Sequence, residues 1–77
     1  MFFSRKKMII HVSGMHCGNC LNRIKERLES IDNVKKVQGN VDKGEVIVFY
    51  KEGVNQEEIR DAVEKLGYGV TGIKDVD

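Results

Sequence analysis

Two stretches of helical period, each set between β-branched runs, constrain this 77-residue chain more than any other feature. In the first, Leu21, Ile24, Leu28 and Ile31 recur along one helix face, while Arg23, Lys25, Glu26, Arg27 and Glu29 fill the other. In the second, Ile59, Ala62, Val63 and Leu66 form the apolar stripe, and Glu57, Glu58, Asp61 and Glu64 an acidic outer face. Asn55 stands as the N-cap of the second helix with Glu58 three residues on, and Gly67 as the glycine that closes it.

The runs between them read as strands. Met8 to Val12 is β-branched and ends at Gly14. Val34, Val37 and Val41 mark a second strand, weakened in its middle by Gly39, before a tight turn at Asp42-Lys43-Gly44. Glu45 to Tyr50 is the most apolar run and so a central strand, and Tyr68 to Val76 holds a short last one, interrupted by Gly69 and Gly72.

The order β-α-β-β-α-β predicts an α+β ferredoxin-like sandwich, a four-stranded antiparallel sheet with two helices on one face. The first and third strands then lie in the middle. Alternation points Ile10, Val12, Val46, Val48 and Tyr50 toward the helices and leaves Ile9, His11, Ile47 and Phe49 on an open, unusually apolar face. Phe2 and Phe3, a second chain or solvent could each cover that face. Residues 1–7, held in water by Arg5, Lys6 and Lys7, read as a flexible tail, and 8–77 as one domain near the lower size limit for a self-sufficient core.

A hydrophobic fraction of 40% with 32% charged residues is that of a globular protein, not a disordered one. No apolar run approaches the roughly 20 residues that span a bilayer. Met8 to Ile10 is too short an apolar run to follow the basic start as a signal peptide. The chain reads as a cytoplasmic, free-standing protein. In a reducing compartment, a two-residue cysteine spacing signifies metal or redox work more often than a structural disulfide.

Both cysteines lie in Gly14-Met15-His16-Cys17-Gly18-Asn19-Cys20, at the junction of the first strand and the first helix. A helix N-terminus stabilises thiolate, the form that binds metal, through its unpaired N–H groups and macrodipole, and Arg23 one turn along adds to this. Two cysteines cannot build a four-cysteine structural zinc site in one chain. Two sulfurs suit a soft monovalent ion of low coordination number, above all Cu(I), and leave it open to attack by an incoming thiolate.

Charge is uneven: residues 1–36 hold eight of the 13 Lys and Arg side chains and only three of the 12 Asp and Glu, although the net charge is only +1. This balance suits a protein partner with an acidic face better than nucleic acid, whose basic footprint ordinarily dominates a whole domain.

Gly14-Met15-His16-Cys17-Gly18-Asn19-Cys20 on a β-to-α junction, with Leu66-Gly67-Tyr68 later, resembles the heavy-metal-associated domain and its pattern G-M-x-C-x-x-C over roughly residues 8–73. Free-standing members of that family are copper chaperones, and fused ones are metal-binding domains of copper-transporting P-type ATPases. The resemblance implies that Cys17 and Cys20 are the Cu(I) ligands and that Met15 is a buried prop under their loop. It also places Tyr68 beside the site, as in bacterial-type chaperones. His16, at the variable position, is a candidate pH-dependent third ligand or proton partner for Cys17. Gly39 departs from the family, which usually carries a bulky apolar residue there.

The implied protein is a carrier and not an enzyme, a monomer or metal-bridged homodimer. It would pass Cu(I) by ligand exchange to the metal-binding domain of a copper-transporting P-type ATPase or to a copper-responsive regulator. Rival readings are a mercury, zinc or cadmium carrier of the same fold and a small thiol oxidoreductase. The second is disfavoured because neither Trp nor Pro, which commonly accompany a redox CxxC, occurs in the chain. An RNA-recognition domain shares the topology, but Glu45 and Ile47 replace the aromatics that would stack bases.

Overall fold

A computed structural model of the chain describes residues 6–16, 18–51 and 53–76. The alternating run at the start becomes β1 (Lys6–Ser13), with Met8, Ile10 and Val12 buried and their neighbours half-buried or exposed. The remaining elements follow as α1 (Gly18–Glu29), β2 (Val34–Asn40), β3 (Glu45–Tyr50), α2 (Gln56–Lys65) and β4 (Gly69–Val76). The strands form one sheet in the order β2-β3-β1-β4, every neighbouring pair antiparallel. This is the ferredoxin-like arrangement, with β1 and β3 in the middle.

β1 begins inside the stretch read as a tail. Lys6 and Lys7 face Tyr50 and Phe49 of β3, and Lys7 also faces Val76 of β4. β3 is long enough to pair both residues and β4 to pair Lys7, and backbone pairing overrides the charge of the side chains. Phe2, Phe3 and Arg5 lie outside the described residues.

Ile10, Val46, Val48, Ile24, Leu28, Ile59 and Val63 are fully buried in one cluster with Met8, Val12, Val37, Tyr50 and Ala62. Both helices therefore pack on the same face of the sheet, as their apolar stripes require. Leu21, Ile31 and Leu66, at the ends of those stripes, are half-buried against the cluster.

α2 is capped at both ends. The Asn55 side chain accepts the Glu58 N–H at 2.8 Å, and the Gly67 N–H donates to the Glu64 carbonyl at 2.9 Å. Gly67 adopts φ +99°, a left-handed conformation that costs other residues more. At the end of the sheet where β1 starts, the Asp75 carboxylate accepts from the Tyr50 hydroxyl and from Gln56 Nε2, each at 2.9 Å, which ties β4 to β3 and to the start of α2.

Gly39 has a specific neighbour. A Cβ there would run into Leu21 Cδ1 and stand 3.3 Å from the Glu45 carbonyl. Leu21 of α1 thus fills the space over β2 that a bulky strand residue would otherwise take. The packing of β2 is kept by an exchange of volume between helix and strand.

Candidate metal centre

The motif loop leaves the sheet where β1 ends at Ser13. Gly14 turns it with φ +89°, and a Cβ at Gly14 would stand 3.6 Å from Tyr68 Cδ1, an ordinary contact distance. Backbone conformation, and not lack of room, asks for glycine here. Met15 follows with 4% exposure and belongs to the core cluster, so the loop is anchored from beneath by an apolar side chain. His16 is exposed. Cys17 lies outside the described residues.

α1 then starts at Gly18 and carries Cys20 in its first turn, half-buried and packed against the core. The two helix N-termini differ in charge. α2 has Glu57 and Glu58 in its first turn, whereas the first turn of α1 has no acidic residue. No carboxylate of its own first turn therefore offsets the partial positive charge of the α1 N-terminus, a setting that in general favours anionic sulfur. Arg23, on the next turn, is exposed.

Tyr68 reaches the same place from the other end of the chain. It sits between Gly67 and β4, half-buried against the core, with its ring over Gly14. Ser13 and Gly69 are paired across β1 and β4, and a Cβ at Gly69 would stand 2.5 Å from Ser13 Oγ. That approach lets the α2–β4 turn lie against the motif loop. Sequence reading took Gly69 only as an interruption of the last strand, because a contact between residues 13 and 69 leaves no local signal.

The β2–β3 turn closes on the same end: the Val12 N–H donates to the Gly44 carbonyl at 2.8 Å. The structure thus gathers Gly14, Met15, His16, Cys20 and Tyr68 at one end of the sheet. His11 is elsewhere, on the open face, with Nδ1 3.9 Å from a Glu45 carboxylate oxygen. Among the described residues, no three His, Cys, Asp or Glu side chains form a group that could hold a metal ion. Cys20 and His16 are the described donors at this end, and a soft ion held here would depend on sulfur.

Comparison with known proteins agrees with this geometry. The model of the heavy-metal-associated domain matches residues 9–69. The copper chaperone CopZ of Staphylococcus aureus (strain bovine RF122 / ET3-1) is 36% identical over 63 residues, which is 80% of this chain and 93% of that protein. Among solved structures, a CopZ metallochaperone superposes with a TM-score of 0.82 at 35% identity, covering 84% of this chain and 98% of the other. The water-soluble region of the P-type ATPase CopA from Bacillus subtilis gives 0.81 at 32% identity, over 91% of this chain and 47% of the other.

Proposed function

The chain belongs to the heavy-metal-associated domain family, and we propose that it is a copper chaperone that carries Cu(I) on Cys17 and Cys20 and hands it on by ligand exchange. The observation that carries this reading is Cys20 in an acid-free first turn of α1, three residues after Cys17, in a chain similar to CopZ over nearly all of that protein's length.

Cu(I) is the cargo. Two thiolates neutralise it with one negative charge to spare, and the α1 N-terminus offsets that surplus. A thiolate of the acceptor adds to the copper, a three-coordinate species forms, and one of the two original sulfurs departs. Copper stays monovalent throughout and no bond of the protein is oxidised or hydrolysed, so the protein is a carrier and not an enzyme. Met15 holds the loop from below, Tyr68 covers its flank, and exposed His16 is a third donor.

The acceptor is the metal-binding domain of a copper-transporting P-type ATPase or a copper-responsive regulator. Likeness to the soluble region of the P-type ATPase CopA supports the first, because the same fold occurs on such a transporter. The site of action is the cytoplasm; no helix among the described residues is long and apolar enough to cross a membrane.

Titration of the reduced protein with Cu(I) and with Zn(II), each against a competing chelator, tests the proposal. One equivalent of copper held far more tightly than zinc is expected, and Cys17→Ser with Cys20→Ser is expected to abolish it. Tighter zinc binding, or copper affinity surviving the double replacement, would overturn it.

A further inference from the structure

The ladder between β1 and β4 slips by one residue close to the motif loop. It runs regularly from Lys7 opposite Val76 to His11 opposite Gly72, and resumes with Val12 opposite Val70 and Ser13 opposite Gly69. Thr71 is the extra residue, so β4 carries a β-bulge there. The Thr71 hydroxyl donates across the break to the His11 carbonyl at 3.3 Å.

This slip decides which way Tyr68 faces. Side chains of an unbroken strand alternate between the two faces of the sheet. Lys74 and Val76 lie opposite Ile9 and Lys7, on the face turned away from the helices. Without the bulge, Val70 and Tyr68 would share that face, since each stands an even number of positions from Lys74. Instead Tyr68, Val70 and Ile73 all pack against the core cluster, although Ile73 has the opposite parity. One extra residue reconciles them, because a shift of one position exchanges the faces of everything on its far side. Tyr68 is thereby carried to the side of the motif loop, where its Cδ1 would stand 3.6 Å from a Cβ at Gly14. Its neighbours Gly67 and Gly69 have no side chains to fix the backbone between them, so the register of β4 sets where the ring lies.

We propose that Thr71 is a positioning residue for the metal centre. Its bulge, held shut by the hydroxyl, turns Tyr68 onto the motif loop, and the ring held there slows the removal of bound copper by small competing ligands. The effect on copper rests on the copper reading given above; the placing of the ring does not. Thr71 is exposed and acts through Tyr68.

The copper-free protein provides the first readout, the nuclear Overhauser contact between the Tyr68 ring and the α protons of Gly14. Thr71→Val, which keeps the shape and removes the hydroxyl, should weaken that contact, and Thr71→Ser should preserve it. The second readout is the rate at which a chelator strips Cu(I) from the loaded protein. Thr71→Val should raise that rate by roughly twofold to tenfold, the scale set by one hydrogen bond, and Tyr68→Ala should raise it at least as much. The two replacements together should be no faster than Tyr68→Ala alone, because both remove the same cover. An unchanged ring contact in Thr71→Val overturns the positioning, whatever metal the protein carries. An effect of Thr71→Val that persists in full beside Tyr68→Ala overturns action through the ring. Should the protein hold no copper, the copper reading fails, and the ring contact alone decides the role of Thr71.

Discussion

Gly39 and Leu21 show how one position can be understood only through another. Because a Cβ at Gly39 would run into Leu21 Cδ1, Gly39→Val should destabilise the fold by about 1–3 kcal/mol, the usual cost of overpacking. Leu21→Ala should cost a comparable amount through the void it leaves. The double variant should be more stable than the sum of the two predicts, because each change makes room for or fills the other. Urea denaturation of the four proteins measures this, and strict additivity would show that Leu21 does not occupy the space over the strand. Met15, at 4% exposure, is the comparable case under the motif loop. Met15→Ala should lower stability by about 2–5 kcal/mol.

Among the elements, the contrast between the two helix starts carries the chemistry. α2 has its cap and two carboxylates, so Asn55→Ala should cost about 1 kcal/mol of stability, read as a lower denaturation midpoint. The start of α1 has no carboxylate, and adding one should work against the thiolate. Asn19→Asp, at an exposed first-turn position, should raise the thiol pKa and slow alkylation at neutral pH by roughly twofold to fivefold, the range implied by 0.3–1 kcal/mol at a helix terminus. An unchanged rate would mean that the helix field does not set the reactivity of the pair.

Much of this was legible in the sequence, for physical reasons. Alternation in Met8–Val12 and Glu45–Tyr50 and the stripes of both helices are local signals, and each was realised as strand or helix with the expected face buried. Lys6 and Lys7 were not legible as strand, because their place in β1 comes from partners more than 40 residues away, at Phe49, Tyr50 and Val76. The filling of Gly39 by Leu21 and the approach of Gly69 to Ser13 are likewise properties of the closed sheet. The G-M-x-C-x-x-C motif pointed to the family at once, and the resemblance already set Tyr68 beside the loop, where the folded α2–β4 turn brings its ring near Gly14.

At the scale of the whole molecule, the two helices differ in the charge that they expose. α1 exposes Arg23 one turn beyond Cys20 and Arg27 one turn further, and α2 exposes Glu57, Glu58, Asp61 and Glu64. If an acidic acceptor docks on α1, Arg23→Glu with Arg27→Glu should slow copper transfer severalfold without altering copper affinity, and the effect should shrink in high salt. A transfer rate unaffected by the double reversal would remove α1 from the docking surface.

The central claim is that sulfur at the entrance of α1 holds the copper. X-ray absorption at the copper edge of the loaded protein tests it most directly. The account predicts a monovalent ion with a shell of two or three sulfurs that disappears when Cys17 and Cys20 are replaced by serine. A shell of nitrogen and oxygen, unchanged by that replacement, would contradict it.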